Sequence, residues 1–162
     1  KDRQRSIVTK LIRDYGYNGL STSCEKIYNI FLSKITDFDL PLMDDDELKN
    51  YCNEILMSAL SKIISLDHDL TDRNNETGDF NEDLSDLECE VLSSQMVVEW
   101  IDRKINTTQL LNMFVGTKDE SMASQANHLN SLLTLKDRQR SIVTKLIRDY
   151  GYNAWIEEEG TE

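Results

Sequence analysis

Two histidines, three cysteines and 30 acidic side chains are the raw material for chemistry in this chain. His68 stands in DHDLTDRNNETGDFN (Asp67–Asn81), where Asp67, Asp69 or Asp72 would orient it as a general base. A base needs a group to deprotonate, and no nucleophile or second polar cluster pairs with His68 at a readable spacing. The same stretch has the carboxylate density of a calcium loop, but its register fails. Counting from Asp67 puts Asp69 third and Thr71 fifth. Asp72 then falls where the turn glycine must stand, and Gly78 where the bidentate glutamate must stand. Other starting points do no better, so the stretch reads as a solvated acidic loop with Phe80 pinning its far end. Cys24, Cys52 and Cys89 are widely spaced and lack a C-x-x-C pair, which removes a zinc knuckle. They read as reduced thiols packed in a core, in an intracellular protein. No G-x-x-x-x-G-K-[ST], G-x-G-x-x-G or G-x-S-x-G occurs. His128, beside the leucines of the last helix, reads as a surface or interface residue. The expectation is a protein that is not an enzyme, with no catalytic residue, metal or cofactor.

The remaining chemistry is that of contact. KDRQRSIVTKLIRDYGYN occurs twice without a difference, at Lys1–Asn18 and Lys136–Asn153. Structural repeats drift in sequence and recur several times, so two identical copies point to deliberate duplication or recent copying. Gly19–Asn153 already forms one complete unit that owns this segment, which makes the first copy an extra. A chain that opens on Lys rather than Met fits that reading. The expected organisation is a duplicated and engineered segment over 1–18, one helical domain over 19–153 and an acidic tail over 154–162.

Within the second copy, isoleucine and leucine at i, i+4 spacing are flanked by arginines, a pattern suited to a helix laid in a groove with its charges on the rim. The expected docking residues are Arg138, Arg140, Ile142, Lys145, Leu146, Ile147, Arg148 and Tyr150. Their duplicates are Arg3, Arg5, Ile7, Lys10, Leu11, Ile12, Arg13 and Tyr15. Phosphate binding is the competing use of these cations, but no aromatic platform accompanies them beyond Tyr150 and Tyr152, which favours protein over nucleic acid. Each copy carries a charge of +3, whereas Gly19–Leu135 carries −14 and the last nine residues −4. Such a body repels a nucleic-acid backbone. It favours a head-to-tail contact of basic helix on acidic face, unless both faces are merely solvated.

The elements that must position these groups are helices. Thr22-x-x-Glu25, Asp44-x-x-Glu47 and Ser85-x-x-Glu88 have capping-box spacing and open three of them. Ile27, Ile30, Phe31 and Ile35 form the first apolar stripe, and Leu48, Tyr51, Cys52, Ile55, Leu56, Ala59 and Ile63 the second. The third helix, through QMVVEWI, is apolar on more than one side and should be central. A short helix over Asn106–Phe114, a linker over Val115–Asp119 and a long helix from about Ser121 to Tyr150 complete the chain. The duplicated half of that last helix is expected to project beyond the body. The fold class is all-α: a small bundle of four to five helices with a long C-terminal helix and a duplicated N-terminal one. No apolar run approaches the ~20 residues of a membrane span, and no signal-peptide pattern is present.

IYNIFLSKITDFDL (Ile27–Leu40), DDDELKNYCNEILMSALSKI, FNEDLSDLECEVLSSQMVVEWI and GTKDESMASQANHL together resemble small virion proteins encoded among the head and neck genes of tailed bacteriophages. These are similar to the helical adaptor or head-completion proteins that bridge portal and tail, and the resemblance covers most of Ile27–Tyr152. It implies a homo-oligomeric ring, typically twelve-fold, around the DNA exit channel, with terminal segments docked on neighbours. It implies as partners the phage portal or tail-proximal neck proteins, with DNA only as non-sticking cargo. It places the protein in the virion, assembled in the bacterial host cytoplasm, and supplies no catalytic residues. The alternative is an acidic mimic of DNA that inhibits a nuclease or another basic host factor.

Overall fold

The computed structural model of the chain describes residues 22–37, 39–63, 66, 69–74, 77–114 and 119–159. Among these residues, four α-helices follow in order: α1 (Ser23–Lys34), α2 (Asp45–Leu60), α3 (Asp86–Phe114) and α4 (Asp119–Glu159). A single 3-10 turn at Leu40–Leu42 links α1 to α2. The fold is all-α, and among the described residues the only extended pairing is an isolated bridge between Arg73 and Phe80.

All three capping boxes form. The Thr22 hydroxyl accepts from Glu25 N–H and the Glu25 carboxylate accepts from Thr22 N–H, both at 3.3 Å. Asp44 and Glu47 do the same at 2.8 and 3.1 Å. At α3, Glu88 accepts from the N–H and hydroxyl of Ser85 at 2.8 Å each, and Ser85 accepts from Glu88 N–H at 3.3 Å. Each box satisfies two amide groups that a helix start leaves without intrahelical partners.

The third helix is the hub, and α1, α2 and α4 all pack on it. Every residue from Val91 to Ile101 is consequently buried. Its apolar members Val91, Leu92, Met96 and Ile101 pack with Ile27 and Phe31 of α1 and Ile55, Leu56 and Ala59 of α2, all at 0 % exposure. Polar side chains in the same run are satisfied by groups that reach in. Lys34 Nζ donates to Ser94 Oγ at 2.8 Å and to Glu90 at 2.6 Å. Glu99 accepts from Gln95 at 2.8 Å and pairs with Lys62 at 2.8 Å.

Two boundaries differ from the sequence expectation. The third helix runs unbroken through Asn106–Phe114 instead of stopping before a separate short helix. The hydroxyls of Thr107 and Thr108 bond back to the Arg103 and Lys104 carbonyls at 2.9 and 2.8 Å, which satisfies them within the helix. The fourth helix continues past Gly151 to Glu159, 41 residues in all. It is about 60 Å long, and its duplicated half lies along α3 rather than projecting from the body. Among the described residues, no helix is long and apolar enough to cross a membrane.

Candidate interaction surface on the terminal helix

The fourth helix meets α3 along one stripe whose spacing is that of a coiled coil. Gln125, Leu129, Leu132, Lys136, Gln139, Val143, Leu146 and Tyr150 alternate in steps of three and four and are the less exposed positions along the helix. A repeat of 3.5 residues keeps one seam facing the partner helix. Val143 is the most deeply buried of them, at 5 % exposure. Leu129, Leu132, Leu146 and Ile147 pack against the core from the half-buried margin. Polar contacts fix the register. Lys136 Nζ pairs with Asp102 at 2.5 Å, Gln139 Nε2 donates to the Ser94 carbonyl at 3.4 Å, and the Tyr150 hydroxyl donates to Glu88 at 3.1 Å. Progress from Asp102 to Glu88 as α4 advances makes the pair antiparallel.

The expected docking set therefore divides. Leu146, Ile147 and Tyr150 face the chain's own α3. Arg138, Arg140, Lys145 and Arg148 are exposed, and Ile142 remains 41 % exposed. Leu133 and Leu135 are also open, at 43 % and 44 %. The duplicates from Arg3 to Tyr15 lie outside the described residues, as does His68. His128 is exposed on α4.

Ile142 and Leu135 form one wall of an open cleft of about 640 Å³ between α4 and the end of α1. Ile35, Val97 and Trp100 supply the opposite apolar wall, and Lys34, Glu90 and Gln139 the polar edge. The cleft floor is held by a buried polar pin. Asp37, 5 % exposed, accepts from the Trp100 indole N–H at 3.0 Å and pairs with Lys104 at 2.8 Å. Burial pushes the Asp37 carboxyl up, but the bonds from Lys104, Trp100 and the Asp39 N–H outweigh it and hold the group below the ordinary carboxylate value.

Among the described residues, the most open of the large apolar side chains is Leu42, at 81 % exposure on the 3-10 turn. Asp44, Asp45, Asp46 and Glu47 follow it directly and are exposed. They sit on the first turn of α2, where the helix dipole favours negative charge. An apolar knob beside acidic residues thus stands on the same molecule as an apolar cleft, one wall of which α4 supplies.

Reactive chemistry is muted elsewhere. The three thiols are free and buried. Burial is the first cause that pushes Cys24 and Cys52 up to about 12 and Cys89 up to about 11, which keeps them protonated and poorly nucleophilic. Among the described residues, no group of three or more His, Cys, Asp or Glu side chains is arranged to hold a metal ion. The acidic loop is tied down more firmly than its composition suggests. Arg73 donates to the Gly78 carbonyl and lies 5.2 Å over the Phe80 ring. Asp79 accepts from Cys24 N–H at 3.1 Å and from Phe80 N–H at 2.9 Å. Gly78 closes this hairpin at φ +72°, where a side chain would be strained.

Sequence reasoning missed Lys136 and Gln139 as inward residues, and it missed the whole of the cleft and the Leu42 knob. The heptad spacing of Leu129, Leu132, Val143, Leu146 and Tyr150 was the available signal for the seam. Comparison of the chain with protein-family models, with curated proteins and with solved structures finds no match.

Proposed function

We propose that this chain is a structural protein that works by assembling with copies of itself, as a neck component of a tailed-phage particle. The observation that carries the reading is the pairing of surfaces on one molecule. The exposed Leu42 offers an apolar side chain to the apolar cleft lined by Ile35, Val97, Trp100, Leu135 and Ile142. A contact between two different surfaces is head-to-tail, and such contacts close into rings when the rotation per subunit permits. Attraction between the acidic residues beside Leu42 and the exposed cations of α4 sets orientation and speeds encounter. The phage setting rests on the sequence resemblance, and DNA would pass an acidic ring without adhering to it. Portal or tail-proximal proteins would then engage the faces of the ring.

Absolute mass by light scattering, over a range of concentrations and salt, tests this. The full chain is expected to form species larger than a monomer. Leu42→Glu and Ile142→Glu are each expected to return it to a monomer with its helical circular dichroism intact. A wild-type chain that stays monomeric at high concentration and low salt would overturn the assembly reading. If that monomer bound basic proteins with a steep salt dependence, the DNA-mimic inhibitor would take its place.

A further inference from the structure

The seat on α3 that receives the second copy of the repeated segment has another claimant in the same chain. Lys136, Gln139, Val143, Leu146, Ile147 and Tyr150 fill it. The same side chains recur at Lys1, Gln4, Val8, Leu11, Ile12 and Tyr15. Because the 18 residues are identical, any contact the seat makes with one copy is chemically available to the other. Lys1–Leu135 is in sequence terms a circular permutant of Gly19–Asn153: both hold every element once, in rotated order.

Permutation works when the new connection can span the distance and the new ends fall at a tolerant place. The first condition is met, while the second carries a cost, because the break falls inside α4 and opens the hydrogen bonds of about one helical turn. In α4 the segment ends at the Glu88 end of α3, where Tyr150 donates to Glu88 at 3.1 Å. The first copy leads into α1, whose Ser23 hydroxyl accepts from Leu84 N–H at 3.1 Å, one turn before Glu88. Tyr15 is eight residues before Ser23, and eight residues reach at most ~29 Å. A first copy docked there would therefore enter the seat from the correct end and in the correct direction. The new break falls between Leu135, exposed, and Lys136, whose seam contact is an ion pair rather than a packed side chain.

We infer that Lys1–Asn18 is a second occupant of the α3 seat, docking in cis when Lys136–Asn153 leaves it. The chain then has two ways to complete one fold, and occupation by the first copy releases the C-terminal half of α4 for contact with other molecules. This inference stands on the seat and the sequence identity alone, and it holds whether or not the chain forms rings.

Thermal unfolding of the full chain by circular dichroism, with mass by light scattering, tests it through Val143→Asp, Val8→Asp and the double variant. A charge at Val143 is incompatible with that buried position, so it expels whichever copy carries it. Val8→Asp is expected to melt like the parent. Val143→Asp is expected to lose only a few degrees, whereas the double variant loses far more than the two single losses combined. The milder pair Val8→Ala and Val143→Ala repeats the cycle where aspartate proves too disruptive, with the same non-additivity on a smaller scale. A double variant that melts with Val143→Asp overturns the inference. Rescue of Val143→Asp accompanied by a doubled mass also overturns the cis arrangement, since the first copy would then be filling a neighbour's seat.

Discussion

The two long helices of this molecule are held by opposite means. Across Val91–Ile101, α3 is buried on every side, and its interior polar groups are met by Lys34, Lys62 and Gln95. The fourth helix touches the body along one seam, with Val143 as its most deeply buried member. Close packing makes every methylene count in the first helix. In the second, half-buried side chains and polar register contacts share the work. A helix held in this way can be replaced by another that presents the same stripe, whereas the hub has no substitute.

This contrast predicts a graded set of effects. Ile101→Ala, at a fully buried site on α3, is expected to cost ~2–5 kcal/mol in chemical denaturation. Leu132→Ala, on the seam but outside the duplicated segment, is expected to cost only about 1–2 kcal/mol, because its side chain is only partly buried. Equal losses at the two sites would erase the contrast. Tyr150→Phe, made together with Tyr15→Phe so that neither copy can supply the hydroxyl, should cost about 0.5–1.5 kcal/mol for the bond to Glu88. Smallest of all, Arg140→Ala on the exposed face should change stability by less than ~0.5 kcal/mol. Its effect is expected in the salt dependence of assembly instead.

Acid should weaken the body of the bundle. Asp37 and Asp79 are both held below the ordinary carboxylate value: burial raises each, and hydrogen bonds to each more than reverse it. A depressed carboxylate contributes stability above its unfolded value of about 3.9, and that contribution is lost as pH falls through the folded one. Melting curves from pH 6 downward should therefore drop most steeply below about pH 4. Asp37→Asn should start lower and flatten part of that fall.

Local chemistry was legible in the sequence and distant pairing was not. Thr22, Asp44 and Ser85 announce their helices because a cap is read within three residues. The central position of α3 follows from QMVVEWI, which is apolar around more than one face. By contrast, Asn106–Thr108 resembles a helix break until the two threonine hydroxyls are seen to bond back along the helix. Two stripes compete in the terminal segment, one through Leu135 and Ile142 and the other through Lys136, Gln139 and Val143. The sequence favours the more apolar stripe, and the fold uses the other because α3 offers Asp102, the Ser94 carbonyl and Glu88 along that seam. Trp100 and Asp37 are 63 residues apart, and no local signal joins them. The Arg73 clamp on Gly78 and Phe80 has the same character: a lone cation among acids reads as solvated until its partners are placed.

The buried cysteines carry a practical consequence. One thiol lies in each of α1, α2 and α3, and α4 has none among the described residues. A thiol held out of water reacts with an alkylating reagent only while its helix is open, so its labelling rate clocks local opening. Cys24, Cys52 and Cys89 are thus three built-in clocks, one on each helix of the body. Exchange of the two terminal copies should leave Cys52 slow, because the helix that moves packs chiefly on α3.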